Sequence, residues 1–229
     1  MLLILLPLGG YLLGSVSSAV LVSKLLGLPD PRQSGSGNPG ATNVLRLGNK
    51  LAAALTLLGD VLKGVLPVLI AKYLDAETTG MALAGLGAFL GHLFPVFFGF
   101  AGGKGVATSL GIFLALNPVI AGLQVALWAM MALVFRYSSL AALAAAFATP
   151  VLLSWQMSDP VLTGFGMILA ALLVFRHRAN IVRLCRGTES RIKLKSCPRI
   201  RLSDIWRDHR SNATIRLHSN CSMTIVDER

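Results

Sequence analysis

Ser34–Arg46 reads SGSGNPGATNVLR and sets Gly35, Gly37 and Gly40 in the spacing G-x-G-x-x-G. Glycine tolerates positive φ, so successive backbone N–H groups can face one concavity and hold an anion. Asn38-Pro39 favours a turn. A helix starting near Ala41–Thr42 and running through Arg46 would point its positive end at the same anion. Ser36, Thr42 and Asn43 add neutral donors. A dinucleotide fold would need a strand before the loop. The preceding residues are a long apolar stretch with no strand signal, so that fold is excluded. An ordinary capped loop is the plain alternative, and the density of donors favours anion binding.

A second stretch, AGGKG at Ala101–Gly105, has the look of a nucleotide-binding P-loop and fails the pattern. Lys104 is followed by Gly105 instead of Ser or Thr, and Phe98 stands where the first glycine is required. What remains is a backbone-exposing turn with one cation ahead of a helix that starts at Val106. That arrangement suits a phosphate, although a tight turn with a Lys at a membrane edge accounts for the same residues equally well. Further on, His177 and Asn180 are three apart and share a helix face. The neighbouring Arg176, Arg178 and Arg183 are expected to lower the His177 pKa and favour the neutral ring. A neutral imidazole can serve as base or as hydrogen-bond donor. His92 reads as a structural histidine. Asp60 and Lys63, three apart in an apolar stretch, read as a structural ion pair.

The elements that must position these groups are membrane helices. The chain has 229 residues, 54% of them hydrophobic, 14% charged, with mean hydropathy +0.68. Soluble domains carry roughly 25% charged residues, so the composition indicates an integral membrane protein. Apolar stretches run at about 2–27, 51–73, 81–98, 106–120, 121–135, 139–156 and 161–175. The N-terminal MLLILLPLGGYLLG lacks the basic start of a signal peptide and reads as a retained first span. The stretch 106–135 is broken at Asn117-Pro118, and is either two short helices or a re-entrant hairpin. The expected fold is therefore an all-α polytopic bundle of about seven transmembrane helices.

Orientation follows from the placement of Lys and Arg. Putting 28–50, 99–105, 136–138 and the C-terminal tail in the cytosol satisfies the rule, with the N-terminus outside and the C-terminus cytosolic. Seven crossings fit, as do five if 106–135 only dips in. Every unusual polar cluster then lies at the cytosolic face, which implies one composite site there. Residues 1–175 hold eight Lys/Arg and five Asp/Glu, whereas 176–229 hold thirteen and five. The basic excess is thus mostly a tail beside a membrane, which serves orientation and attraction to anionic lipid. No nucleic-acid motif accompanies it. Cys185, Cys197 and Cys221 match no zinc spacing and read as free thiols in a cytosolic tail.

GSGNPGATNVLR, GHLFPVFFGFAGGKGVAT and FRHRANIVRLCRGTE together resemble the three signature motifs of the bacterial acyl-phosphate-dependent glycerol-3-phosphate acyltransferases, the PlsY family. GDVLKG at Gly59–Gly64 resembles that family's D-x-x-K-G element, and the resemblance covers roughly residues 10–192 in order and spacing. It implies a seven-helix enzyme of the bacterial inner membrane. That enzyme would transfer an acyl group from acyl phosphate to position 1 of sn-glycerol 3-phosphate, giving lysophosphatidate and phosphate as the first step of phospholipid synthesis. Ser36 and Arg46 match the functional serine and arginine of the first motif. Gly102, Gly103 and Gly105 with Lys104 match the second, and His177, Asn180 and Glu189 the third. Ser139 is placed like a serine after the fifth span, with Ser138 beside it. Catalytic roles fall on Ser36, His177 and Asn180, and phosphate binding on the remaining loop residues. No metal or other cofactor is implied. The enzyme that makes acyl phosphate is an implied partner besides membrane lipid, and no nucleic acid is.

An acyl phosphate is a mixed anhydride whose leaving group departs readily, so the reaction needs orientation and charge stabilisation more than a strong nucleophile. That agrees with the lack of H-x-x-x-x-D, the signature of thioester-using acyltransferases. Phe97 follows His92 at the Asp position and Val182 follows His177. The proton of the attacking hydroxyl goes either to the donor's own phosphate or to His177. The rival reading is a transporter of a phosphorylated solute, but transporters place sites near the midplane between inverted repeats. Here the polar groups crowd one face and no repeat is visible. Residues 1–195 are expected to form the membrane domain and 196–229 a disordered basic tail.

Overall fold

The computed structural model describes residues 1–192, which are helical with no strand among them. The expectations placed on the 196–229 tail, and those for Cys197 and Cys221, lie outside the described residues. Two helices, α1 (Leu2–Gly14) and α2 (Ser18–Leu25), make up a first apolar span broken at residues 15–17. The short α3 (Ala41–Arg46) follows the glycine loop. Then come α4 (Lys50–Tyr73), α5 (Thr78–Leu93) with a 3₁₀ turn at Val96–Phe98, and α6 (Val106–Leu116). The chain continues through α7 (Pro118–Phe135), α8 (Ser138–Met157), α9 (Pro160–Arg176) and α10 (Arg178–Cys185).

Every apolar stretch of the sequence is mainly helical, with breaks at residues 15–17, 94–95 and 117. Five segments are long and apolar enough to cross a membrane: Leu2–Leu25, Lys50–Tyr73, Thr78–Phe98, Pro118–Phe135 and Ser138–Met157. A sixth passes if α9 and α10 are taken together across a 62° bend. The apolar α6 is about 16 Å long at the helical rise, against a hydrocarbon core of about 30 Å. Length therefore accounts for five or six of the seven expected crossings. The stretch 106–135 divides where its turn signal lies. The Asn117 side chain accepts from Val119 N and Ile120 N, and Pro118 occupies the first helical position. Asp159 and Pro160 start α9 in the same way.

Packing follows from small residues. In lipid the attraction between helices comes from close van der Waals contact, so glycine is favoured where backbones cross. Gly10 and Gly14 on α1 lie against Ala84 and Ala88 of α5, and Gly87 and Gly91 on α5 lie against Pro7 and Tyr11 of α1, the glycines spaced four apart on each helix. A Cβ at Gly87 would strike the carbonyl of Pro7, and one at Gly14 the carbonyl of Ala88. Between α4 and α6 the approach is as close, with Gly111 against Val61 and Gly64 against Thr108. The central core is Phe89, Leu93, Ile112, Phe113, Ile120, Leu153 and Leu169. Away from it, Gln124 Nε2 on α7 donates to Thr149 Oγ1 on α8 at 2.7 Å.

Gly87→Ala should lower the melting temperature in detergent by the equivalent of about 1–3 kcal/mol, because overpacking forces α1 and α5 apart. Gly122, with no atom within 4 Å of an added Cβ, is the matched control. Gly122→Ala should leave the melting temperature unchanged or slightly raised. Equal effects at the two positions would show that the crossing is not close-packed.

Candidate active site

Three segments distant in sequence are joined by side-chain hydrogen bonds. Lys104 Nζ, on the second glycine loop, donates to Asn180 Oδ1 at 2.6 Å. Asn180 Nδ2 donates to Glu189 Oε1 at 2.7 Å, and Ser139 Oγ donates to the same oxygen at 2.8 Å. The other carboxylate oxygen takes Arg183 Nε at 2.7 Å. Ser139 is the buried member of the Ser138–Ser139 pair. Arg176, the last residue of α9, grips the glycine loop: its Nε donates to Gly103 O at 3.0 Å and its Nη2 to Gly102 O at 2.6 Å.

Glu189 arrives by a fold-back of the chain after α10. Ile192 N donates to Arg136 O at 2.7 Å, and the Arg136 guanidinium donates to Ile192 O. Beside it Arg191 Nε donates to the Tyr137 hydroxyl at 3.0 Å. These bonds pin 191–192 against the α7–α8 turn and leave Glu189 facing inward.

Charge states follow from the surroundings. Burial works to raise the Glu189 pKa, but the bonds from Arg183, Asn180 and Ser139 outweigh it and hold the carboxyl below its ordinary value. Burial pushes Lys104 down to about 8. Glu189 opposes that shift, while Arg183, Arg46 and Arg176 add to it. Burial likewise pushes His177 down to about 4, with smaller contributions from Lys104 and Arg176. The expected direction holds for His177, but its main cause is burial and not the flanking arginines. His177 sits at the α9–α10 bend, and its Nδ1 lies 2.8 Å from Leu173 O. A carbonyl only accepts, so Nδ1 carries the proton and the lone pair is on Nε2.

The glycines of the second loop owe their identity to close approach. A Cβ at Gly102 would strike the carbonyls of His92 and Leu93, and one at Gly103 the His92 ring. Gly105, at φ 83°, starts α6. In the first loop Gly35 and Gly37 have positive φ, as expected, whereas Gly40 is extended at the start of α3. Asn43 requires a correction too. Its Oδ1 accepts Ser36 N at 2.8 Å and its Nδ2 donates to Pro31 O and Ser34 O. Buried with its whole amide engaged, it holds the loop together and is not a donor to a ligand. Ser36, Thr42 and Arg46 are exposed, and their side chains make no hydrogen bond among the described residues. Asn38 is half-buried beside them. Arg32, paired with Asp30, ties this loop to the second by donating to Phe98 O at 3.3 Å.

The sequence model of glycerol-3-phosphate acyltransferases matches residues 4–187. The chain belongs to that family. A glycerol-3-phosphate acyltransferase of Halorhodospira halophila is 55% identical over 192 residues, covering 84% of this chain and 98% of that relative. One from Thioalkalivibrio sulfidiphilus is 55% identical over 191 residues, 83% of this chain and 94% of its own. Two crystal structures of PlsY, an integral membrane glycerol 3-phosphate acyltransferase, are also similar. Its glycerol 3-phosphate form has a TM-score of 0.79 at 40% identity, covering 83% of this chain and 96% of that one. Its lysophosphatidic acid form has 0.78 at 38%, covering 83% and 95%. The family match takes in both glycine loops, Ser139, His177 and Asn180, while Glu189 and the fold-back at 191–192 lie beyond it.

Arg176 and Arg183 belong to this bonded network, although from the sequence they enter only as neighbouring charge. Their signal was there, since both lie within the third motif. Arg136 was read only as a marker of orientation, and nothing local predicts its bond to residue 192.

Lys104 gives a pH dependence. Its charged form is present below its lowered pKa and is lost above it, so kcat/KM for a phosphate substrate should fall as pH rises through about 8. Lys104→Arg should keep its charge and move that limb up by a unit or more. A basic limb that is unchanged in Lys104→Arg would assign it to another group.

Proposed function

We propose that the protein transfers an acyl group from acyl phosphate to position 1 of sn-glycerol 3-phosphate, releasing lysophosphatidate and inorganic phosphate. The observation that carries this reading is the bonded chain Lys104–Asn180–Glu189–Ser139, which gathers the second motif, the third motif and the start of α8 beside a neutral imidazole. Family membership and the two ligand forms of PlsY support the acceptor and the product. The first loop, with Ser36, Thr42, Arg46 and the N–H groups near Gly35 and Gly37, cradles one phosphate. Lys104 and its glycine turn serve the other.

The hydroxyl oxygen of the acceptor attacks the acyl carbon, and the bond from that carbon to the phosphate oxygen breaks. An imidazole pushed down to about 4 is a weak proton acceptor near neutral pH. We therefore route the hydroxyl proton to the departing phosphate, with Asn180 Nδ2 donating to the attacking oxygen and His177 Nε2 accepting from the acceptor's other hydroxyl. Ser36 and Arg46 hold the anionic charge as it develops. The reaction takes place at the cytosolic face of the bacterial inner membrane, with seven crossings, the N-terminus outside and the C-terminus in the cytosol. The enzyme that makes acyl phosphate supplies the donor. Residues 1–195 form the catalytic domain, and the tail beyond takes no part.

The test is turnover of the purified protein in detergent with EDTA present. Acyl phosphate should give lysophosphatidate, while acyl-CoA and acyl carrier protein should give negligible product. Comparable rates from acyl-CoA, or complete loss with EDTA, would overturn the mechanism. A solute transporter would give no product from any donor.

Arg46→Ala should reduce kcat/KM for glycerol 3-phosphate by about ten- to a hundredfold, since a charge-assisted bond contributes on the order of 1.5–3 kcal/mol. Unchanged kinetics would remove Arg46 from the site.

A further inference from the structure

Asp60, Lys63 and His92 form a buried cluster that the chemistry above leaves unused. Lys63 Nζ lies 2.8 Å from Asp60 Oδ1, and His92 Nδ1 lies 3.6 Å from the same oxygen. All three side chains are buried inside the helix bundle. Lys63 also donates to the Val16 carbonyl at 3.0 Å, in the break between α1 and α2. Groups of this kind are costly at membrane depth. An ion pair that merely oriented α4 would need only Asp60 and Lys63.

His92 is the member that leads elsewhere. Its Nδ1 makes no hydrogen bond among the described residues, although it is fully buried and turned toward Asp60. Its other side meets the second glycine loop. Gly103 N donates to His92 O at 3.1 Å, and an added Cβ at Gly103 would strike His92 Nε2. Arg176 takes the carbonyls of Gly102 and Gly103. Residue 103 is thus held by His92 through its N–H and by Arg176 through its carbonyl, and the next residue is Lys104.

We propose that Asp60, Lys63 and His92 are positioning residues for the acyl transfer, setting the place of the Gly102–Lys104 turn by seating His92 against Gly103. The Asp60–Lys63 pair is anchored to α4 and, through Val16, to the break in the first span. With Nδ1 turned to Asp60 at 3.6 Å, the ring presents Nε2 to the backbone of Gly103. Lys104 is then delivered to Asn180 without touching the cluster itself.

This inference rests on the proposed acylation of glycerol 3-phosphate, so wild-type turnover is the first arm of the experiment. A wild-type protein that forms no lysophosphatidate would overturn that reading, whatever the variants do. His92→Ala leaves the Asp60–Lys63 pair intact and strands no charge. It should raise KM for glycerol 3-phosphate about tenfold with a smaller fall in kcat, the scale seen when a coupled residue outside the site is altered. Asp60→Asn/Lys63→Met, which removes both charges together, should do the same. The triple variant should be no worse than His92→Ala alone, because both changes act through one contact. Gln124→Leu breaks a buried bond remote from the site, and should lower the melting temperature while leaving KM unchanged. Wild-type KM in His92→Ala, or effects that multiply in the triple variant, would overturn the proposal.

Discussion

Glu189 is one carboxylate on which three parts of the chain depend. Ser139 reaches it from the start of α8, and Asn180 and Arg183 from α10. Through Asn180 it also fixes the Lys104 ammonium. In a low-dielectric interior such bonds are strong when complete and costly when one partner is missing. The carboxylate is ionised because its donors outweigh its burial. That charge explains why a lysine and two arginines can crowd so near one another. Without it the same cations would repel, and the second glycine loop would lose its connection to α10.

The bundle presents the loops by bringing backbones close. Glycines at the α1–α5 and α4–α6 crossings leave no room for side chains between helices. The second loop then hangs between α5 and α9, with His92 on one side and Arg176 on the other. Its glycines are dictated by these neighbours as much as by any phosphate. Arg32 links this loop to the first one through the Phe98 carbonyl. Both loops are therefore parts of one framework.

The helical plan was legible because apolar length and punctuation are local properties. Asn117-Pro118 and Asp159-Pro160 mark helix starts by donor and ring chemistry that involves only a few neighbouring residues. The six-residue α3 was equally readable from Asn38-Pro39 and the run to Arg46. The bonds among site residues were not legible, because a hydrogen bond between positions 104 and 180 leaves no trace in either neighbourhood. Asn43 shows the same limit. Its type and place fit a ligand donor, and only the fold reveals that its amide is spent on Pro31, Ser34 and Ser36. His177 was readable as neutral, but its burial against Leu173 was not. The span count stays at five or six by length because α6 has 11 residues, and hydropathy cannot say how a helix that short sits in a bilayer.

The fold-back that carries Glu189 also sets an order of events during biogenesis. A ribosome makes the chain from its N-terminal side onward, so both glycine loops, Ser139, His177 and Asn180 leave it before Glu189 does. The Ile192–Arg136 bonds that pin the fold-back come later still. A nascent chain that stops short of residue 189 has both glycine loops, yet it lacks the carboxylate that ties Asn180, and through it Lys104, to Ser139 and Arg183. The site is completed by the last described residues to be synthesised, after all the apolar helices have been translated.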